Sequence, residues 1–283
     1  MSSSPRPPFV SFLSDYGHTD EFVGVCHAVM LDVVPELRIV DITHDIPAFD
    51  VRAGALALVR AIQYLPDGVV LAIVDPGVGT DRRCIAVEVE GGLLVGPDNG
   101  LLAPAVAMLG GPKQIVELTN PVYRLPAPGP TFAGRDIMAP AAAHIATGVP
   151  LSEFGDAVDV HSLSPGLVPL PQERDDGVIV GEVLWVDRYG NCQLNVSPDM
   201  LSDRVGAGGA VEVRLGSTAR RARWVHTFAD AKPSELVLIV DSYGMFALAL
   251  DRASAAAELG LRAGRSIAVA APGTGDTDVT DLS

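Results

Sequence analysis

The sequence predicts an α/β fold in two parts: an N-terminal domain with a mostly parallel sheet between helices, and a smaller C-terminal all-β domain. Three observations lead to this prediction. Strand-like and helix-like runs alternate as β-α-β-α-β through residues 9–74, the pattern of a parallel sheet with helices on both faces. Residues 166–176 are rich in proline and then in charge, which is typical of a linker. Residues 177–283 hold short β-prone runs separated by Gly, Pro or Asp, as in a small barrel or sandwich. We therefore expect domains at 1–165 and 177–283.

Hydrophobic periodicity and run length predict the individual elements. In the first domain we expect strands at 9–13, 38–42 and 68–74, and helices at 21–34, 51–64 and 139–147. In the second we expect strands at 177–185, 210–215, 221–225, 235–240 and 266–271, and a short helix around 255–257.

Composition excludes several classes of function. The 35 acidic residues outnumber the 20 basic ones, for a net charge of -15, which would repel nucleic acid and anionic membranes. The three cysteines are far apart and form no Cys-x-x-Cys pair, so neither a disulfide framework nor a zinc knuckle is expected. Residues 1–8 lack the apolar core of a signal peptide, and no apolar run reaches the length of a membrane span. We expect a cytoplasmic protein whose partner is a small molecule.

The most informative segment is residues 73–82, Ile-Val-Asp-Pro-Gly-Val-Gly-Thr-Asp-Arg. It places Asp75 at the carboxyl end of a buried strand, where open α/β sheets hold their ligands. The Pro-Gly turn that follows would fold Arg82 back over Asp75. A carboxylate held by a guanidinium stays ionised and is suited to orient a water molecule. A purely structural salt bridge explains the same residues equally well.

Further polar clusters end the apolar runs of the first domain, and together they predict a polar crevice at the strand ends. They lie at residues 14–17, 41–45 and 96–100. His44 beside Asp45, with His18 and Asp20, suggests a metal site, but no His-x-x-x-His or His-x-His pair is present. We therefore expect no metal and no cofactor. The usual sequence signatures of acyl, phosphoryl and hydride transfer are also missing.

Six segments, in order along nearly the whole chain, resemble the S-adenosylmethionine (SAM) hydroxide adenosyltransferases, a family of adenosine-forming SAM hydrolases related to the fluorinase and chlorinase enzymes. They are residues 12–15, 41–45, 74–80, 96–101, 131–136 and 187–191. The resemblance implies an N-terminal α/β domain, a C-terminal β-barrel, and a homotrimer with active sites between subunits. The implied reaction is attack of water on the ribose C5′ of SAM, which releases adenosine and L-methionine.

The resemblance also implies roles for individual residues. Asp15 would hold the ribose hydroxyls and Phe49 would pack beside the ligand. The methionine part would be bound by Asp20, Asp187 and Ser242, and the adenine by Asn191 and Phe228, with Tyr243, Arg252 and Ala255 nearby. Asn99, Phe132 and Gly134 complete the predicted substrate-binding set.

The water-handling residues implied by the resemblance are Asp75, Arg82 and a histidine just before Gly134. In this chain the third position is Ala133, whose methyl group can neither accept nor donate a proton. Three possibilities follow. The chain is an engineered His-to-Ala variant, a natural family member that relies on Asp75 and Arg82, or a protein that has lost the activity. We expect slow turnover with retained binding, because loss of one acid-base group costs about 10²- to 10⁴-fold.

Two alternatives remain open at this stage. A SAM or adenosine binding module would result if the catalytic set has decayed at Ala133. A SAM-dependent halogenase is less favoured, because Asp75 would repel a halide and Val78 offers it no hydroxyl. The segment from Ala86 to Gly96 also lacks the loop insertion that marks the fluorinase.

Overall fold

The computed structural model describes residues 8–274, and it forms two compact units that divide after Val168. Residues 1–7 of the N-terminal tail lie outside the described part of the chain. The domain limits expected from composition, at 165 and 177, stay a prediction.

The first unit is a sheet with helices on both faces. Its strands are β1 (Phe9–Ser14), β2 (Arg38–Thr43), β3 (Val69–Ile73), β4 (Cys84–Val89), β5 (Gly92–Pro97), β6 (Gln114–Glu117) and β7 (Ala157–Val158). Its α-helices are α1 (Phe22–Val33), α2 (Val51–Ile62), α3 (Ala103–Met108) and α4 (Ala139–Ala146). A π-helix, Gly134–Met138, leads into α4.

The strand order in this sheet is β2-β1-β3-β5-β4-β6-β7. The pairs β1/β2, β1/β3 and β3/β5 are parallel, and the pairs that involve β4 or β7 are antiparallel. Five of the seven strands therefore point the same way, namely β1, β2, β3, β5 and β6. The predicted mostly parallel sheet is confirmed, and the β4–β5 hairpin is an addition that periodicity did not reveal.

Two apolar cores, one on each face of the sheet, hold the helices. On one face, Phe12 and Ile73 of the sheet pack in the core that contains Met30 of α1 and residues of α4. On the other, Val70 packs in the core that contains Leu58 of α2 and residues of α3. Alternate residues of one strand face opposite sides, so β3 contributes to both cores and is fully buried. Its carboxyl end delivers Asp75 to the edge of the sheet.

The second unit is a β-barrel. Its strands are β8 (Gln172–Glu173), β9 (Ile179–Val186), β10 (Cys192–Leu194), β11 (Ala210–Leu215), β12 (Thr218–Val225), β13 (Leu236–Val240), β14 (Phe246–Leu250) and β15 (Ser266–Ala270). Two short helices accompany them, α5 (Asp199–Ser202) and α6 (Ala255–Leu259). The order β10-β14-β13-β12-β11-β15-β9 closes through the β9/β10 pairing, which makes a seven-stranded barrel with β8 added beside β9. Of the two architectures left open by the strand pattern, the structure shows the barrel.

The strands and helices predicted from periodicity are all confirmed, with ends that differ by a few residues. The elements β4 to β8, β10, β14, α3 and α5 were not predicted; all of them are short, and short segments carry little periodic signal. Among the described residues, every helix is too short or too polar to span a lipid bilayer.

Candidate active site

The candidate site lies at the carboxyl edge of the first unit's sheet. β1 and β3 are parallel neighbours in which Ser14 is opposite Ile73, and the chain continues from them into Asp15 and Asp75. The Asp15 amide donates a hydrogen bond to the Ile73 carbonyl at 3.2 Å. The strand register therefore brings the two predicted carboxylates to the same place.

The turn after β3 folds Arg82 back onto Asp75. Val78 donates its N–H to the Asp75 carbonyl at 3.2 Å, and Gly79 has a left-handed backbone with φ 82°. Arg82 Nε then donates to Asp75 Oδ1 at 2.6 Å, and Nη2 donates to Oδ2. Only 13% of the Arg82 side chain and 7% of the Asp75 side chain are exposed. The predicted contact between the two residues is present, in the two-pronged form that fixes both orientations.

Arg82 is held by a third contact as well. Its Nη1 donates to Cys84 Sγ at 2.9 Å. Burial raises the pKa of the Cys84 thiol, although the nearby Arg82 charge opposes this, so the sulfur is a neutral acceptor. Burial lowers the pKa of Arg82, but the contacts with Asp75 and Cys84 together outweigh it and the net pKa is raised. The guanidinium therefore stays charged and fixed.

A cavity of about 400 Å³ opens beside this pair. Its wall is charged at one end and aromatic elsewhere. It is lined by Asp15, Tyr16, Phe22, Ala48, Phe49, Asp75, Val78, Thr131, Phe132, Ala133 and Gly134. The rings of Tyr16, Phe22 and Phe132 contact one another edge to face, with centroids 5.2–5.8 Å apart. Carboxylates and aromatic faces together favour a ligand that is cationic and largely apolar.

Asp15 anchors the loop that carries Phe49. Its Oδ2 accepts the Phe49 N–H at 2.9 Å. Phe49 has φ 67° and is 72% exposed, a left-handed conformation that is unusual for a bulky residue and is kept only where the surroundings impose it. Burial raises the pKa of Asp15, the Phe49 and Asp15 amides lower it, and the Asp75 charge raises it further, so the net pKa is raised.

Ala133 lies in the wall of this cavity and also of a second one. The second cavity measures about 450 Å³ and is lined by Arg82, Arg124 and Asp136 among others. Ala133 is 7% exposed and directly precedes the π-helix that begins at Gly134. π-Helical turns occur frequently at functional sites.

The polar turn Asp187–Asn191 of the second unit is closed by hydrogen bonds of its own. Asp187 Oδ1 accepts the N–H groups of Tyr189 and Asn191 at 2.8 and 2.9 Å, and Oδ2 accepts from Asn191 Nδ2 at 2.7 Å. Two cavities adjoin this turn, of about 610 and 340 Å³. Asn191 and Phe228 line both, Arg252 lines the larger, and Asp187, Ser242 and Tyr243 line the smaller. An amide next to a half-exposed aromatic ring suits a planar heterocycle.

Comparison with known proteins assigns the family. The SAM hydroxide adenosyltransferase N-terminal domain model matches residues 10–155, and the C-terminal domain model of the same family matches residues 181–268. The chain belongs to the SAM hydroxide adenosyltransferase family. The resemblance carried by the six segments is thereby confirmed.

Similar proteins cover almost the full length of this family member. It is 46% identical to the (R)-S-adenosyl-L-methionine hydrolase of Salinispora tropica over 264 residues, 93% of this chain and 98% of that protein. It is 30% identical to the Fluorinase of an Actinoplanes species, over 93% of this chain and 97% of the relative. A crystal structure of an uncharacterized conserved protein from Thermotoga maritima superposes with a TM-score of 0.86 at 33% identity, over 92% of this chain and 99% of that one.

Three predicted substrate-binding residues lie apart from these cavity walls. Asp20 is exposed and does not line the 400 Å³ cavity. The Asn99 amide donates to the Val74 carbonyl at 2.8 Å and accepts the Leu101 N–H at 3.2 Å, so it stabilises the end of β3 beside Asp75. Ala255 is fully buried at the start of α6.

Sequence reasoning missed two aromatic residues of the site, Tyr16 and Phe22. Tyr16 belongs to the polar cluster at 14–17, so its position at a strand end was the available signal. Burial raises the pKa of Tyr16 well above its ordinary value, with further increases from Cys26, Asp15 and Asp75 and an opposing effect of Arg82. Its hydroxyl therefore stays protonated. Phe22 begins α1, and only the packing of that helix places it in the cavity.

Proposed function

We propose that this protein is a SAM hydrolase that forms adenosine and L-methionine, with selectivity for the (R)-sulfonium epimer. The observation that carries the proposal is Asp75, fixed by Arg82, in the wall of a cavity that also holds Asp15 and four aromatic rings. A relative named for this activity is 46% identical over 93% of the chain.

The reaction needs little covalent assistance from the protein. The oxygen of a water molecule attacks the ribose C5′, the C5′–S bond breaks, and the electron pair of that bond stays on sulfur as the neutral thioether of methionine. One proton leaves the water. The protein must exclude bulk solvent and align the water opposite the sulfur. Asp75 is oriented by Arg82, and its remaining lone pairs are available to accept the water's hydrogen bond.

The resemblance assigns each part of the substrate to predicted residues of one unit. In the first unit, Asp15 would accept hydrogen bonds from the ribose hydroxyls, and Phe49 and Phe132 would pack on the ligand beside Gly134. In the second, Asn191 and Phe228 would bind the adenine, with Tyr243, Arg252 and the Ala255 backbone nearby. The ammonium and carboxylate of methionine would be bound by Asp187 and Ser242, with Asp20 as a further anchor and Asn99 supporting the strand end.

Ala133 leaves the water without the acid-base group that the resemblance places there. We propose that the chain turns over slowly for this reason and that restoring the imidazole restores the rate. The cavity volume of about 450 Å³ next to Ala133 supports this, since it offers room for the ring.

The decisive experiment is chromatographic detection of adenosine and methionine from both sulfonium epimers, with the protein and its Ala133→His variant. We expect adenosine release to rise by about 10²- to 10⁴-fold in Ala133→His, with the (R) epimer consumed faster. Added imidazole should raise the rate of the unmodified protein but not that of the variant. Ala127→His is the matched control, because Ala127 is an exposed residue of the same second cavity.

If neither protein makes adenosine but both bind it, the chain is a SAM or adenosine binding module.

A halogenase is favoured only by the 30% identity to the Fluorinase. The Asp75 carboxylate and the apolar Val78 both line the cavity, and neither attracts a halide. Reactions with added fluoride or chloride should therefore give adenosine and no halogenated nucleoside.

We also propose that the chain assembles as a homotrimer in the cytoplasm. Cys26, Cys84 and Cys192 are all free and buried, which supports a reducing compartment. Light scattering should give three times the 29.5 kDa of one chain.

A further inference from the structure

We infer that His27, Asp41 and His44 form a binding site for a divalent transition-metal ion, of which Zn²⁺ is the best representative. The three residues come from α1, from β2 and from the residue that follows β2. One ligand atom of each lies within 4.8 Å of the other two. The sequence suggested a different group, His44 with Asp45, His18 and Asp20, and the fold assembles His27 and Asp41 with His44 instead.

The distances are close to those of a zinc site. His27 Nε2 lies 2.9 Å and His44 Nε2 lies 3.1 Å from Asp41 Oδ1. Atoms bound to one tetrahedral Zn²⁺ at 2.0–2.1 Å are separated by about 3.3 Å. The two separations from the shared carboxylate oxygen are a few tenths of an ångström shorter than this, and the two histidine nitrogens lie within 4.8 Å of each other.

The strongest evidence is the state of His44. Its side chain is completely buried, yet Nε2 makes no hydrogen bond with any residue in the described part of the chain. The contact with Asp41 is short but not aligned as a hydrogen bond. A buried nitrogen without a hydrogen bond is costly, and a metal ion would bind its lone pair.

The other side of the His44 ring is already oriented as in metal sites. Nδ1 is hydrogen-bonded to Ser14 Oγ at 2.7 Å, which fixes the ring and, with Nδ1 protonated, leaves the Nε2 lone pair directed at the cluster. Histidine ligands are usually held by such a second hydrogen bond. The simpler interpretation, a carboxylate of Asp41 paired with both imidazoles, accounts for the short distances but leaves the buried His44 Nε2 without an aligned hydrogen bond.

The site is accessible and its charge is appropriate. The side chains of His27 and Asp41 are 27% and 39% exposed, so an ion can enter and water can complete its coordination. Two imidazoles and one carboxylate suit Zn²⁺, Co²⁺ or Ni²⁺ better than Mg²⁺ or Ca²⁺, which prefer oxygen ligands alone. The net charge of -15 also attracts cations.

A bound ion would tie α1 to the end of β2 and to the loop that follows. That loop starts at His44, whose carbonyl accepts the Gly17 N–H at 2.8 Å, and it leads to Phe49, which Asp15 holds. The ion would therefore stabilise the fold around the substrate cavity without contact with the reacting atoms.

The test is calorimetric titration of ZnCl₂ into protein that has been treated with chelator and dialysed, with Co²⁺ absorption spectra as a second measurement. We expect one ion per chain, a higher melting temperature with Zn²⁺, and a Co²⁺ spectrum of low coordination number. His27→Ala and Asp41→Asn should weaken binding at least about tenfold, since a direct ligand should matter no less than the outer-shell partners whose loss costs 10- to 100-fold. Both are partly exposed positions where folding is expected to survive, which circular dichroism would verify.

His161→Ala is the matched control, because His161 is exposed and outside the cluster, and it should bind Zn²⁺ like the unmodified protein. The inference is overturned if the unmodified protein binds less than one equivalent, if His27→Ala binds equally well, or if His161→Ala weakens binding to the same extent. None of these measurements depends on catalytic activity, so a failure here leaves the proposed hydrolase untouched.

Discussion

Gly134 lies against the Tyr16 hydroxyl so closely that a Cβ at this position would stand 2.1 Å from the phenolic oxygen and 3.1 Å from Ile73 Cδ1. Non-bonded heavy atoms do not approach to 2.1 Å, so only glycine fits beside the Tyr16 ring in this arrangement. The close approach joins the start of the π-helix to the strand ends that carry Asp15 and Asp75.

We expect Gly134→Ala to lower the free energy of unfolding by about 1–3 kcal/mol, the usual cost of overpacking, and to weaken ligand binding because Tyr16 must move. Urea unfolding measures the first effect and adenosine titration the second. Gly24→Ala is the control, because Gly24 lies inside α1 and a methyl group there would have no neighbouring group within 4 Å. It should be stabilising by about 0.5–1 kcal/mol. Equal stability of Gly134→Ala and the unmodified protein would contradict the close packing.

Asp75→Asn tests whether the Asp75–Arg82 pair is catalytic or only structural. The variant keeps an acceptor for Arg82 but loses the charge that polarises water, so adenosine release per folded molecule should fall by about 10²-fold or more. Adenosine binding should change little. Asp81→Asn, an exposed change of the same kind in the same loop, should leave the rate unchanged. Unaltered turnover in Asp75→Asn would reduce the pair to a structural salt bridge.

Asp15→Asn should stabilise the protein at neutral pH while it weakens substrate binding. Burial raises the pKa of Asp15 in the folded state, so ionising it costs folding free energy once the pH rises above the ordinary carboxyl range near about 4. Asparagine carries no such cost and can still accept the Phe49 N–H. The stability difference between variant and unmodified protein should therefore grow from about pH 3 to pH 7.

Chemical denaturation at several pH values measures this difference. Asp32→Asn, an exposed change on α1, should show no such dependence on pH. A variant that is less stable than the unmodified protein at pH 7 would argue that the ionised Asp15 stabilises the fold.

Glu235→Gln should show the opposite dependence on pH. Arg223 donates to both Glu235 oxygens at 2.8 and 2.7 Å, and the Lys232 N–H donates at 2.9 Å. The Arg223 hydrogen bonds are the main cause that lowers the pKa of Glu235 to about 2. This contribution to stability is fully present above the unfolded pKa of about 4.3 and is lost as the pH falls toward 2.

The Arg223–Glu235 pair is partly exposed to water, so we expect Glu235→Gln to cost about 1 kcal/mol or less at pH 7, with the difference shrinking below about pH 4. Arg223 also donates to the Asp230 carbonyl at 2.6 Å, at the end of the turn that carries Phe228. Adenosine affinity should therefore fall slightly. Glu36→Gln, at an exposed site, is the control, and a stability difference that persists unchanged at pH 3 would contradict the assigned pair.

The sequence by itself determined the longer helices and most of the strands, with ends correct to within a few residues. Each of these depends on interactions between residues close together in the chain. The buried run of β3 followed by Asp-Pro-Gly requires a turn, and that turn returns Arg82 to Asp75 only seven residues away. The order of the six motifs was likewise sufficient to recognise the family. Periodicity alone could not distinguish a barrel from a sandwich in the second domain.

Only the tertiary structure decided which distant side chains meet. Tyr16, Phe22 and Phe132 meet because α1 and the segment before α4 pack on the same face of the sheet. His44 meets Ser14 because β1 and β2 pair in parallel, and it meets His27 because α1 packs over β1. Hydrophobic burial drives these contacts, and it specifies neither a direction nor a particular partner. The same pattern of apolar residues is therefore compatible with many pairings until the core is closed.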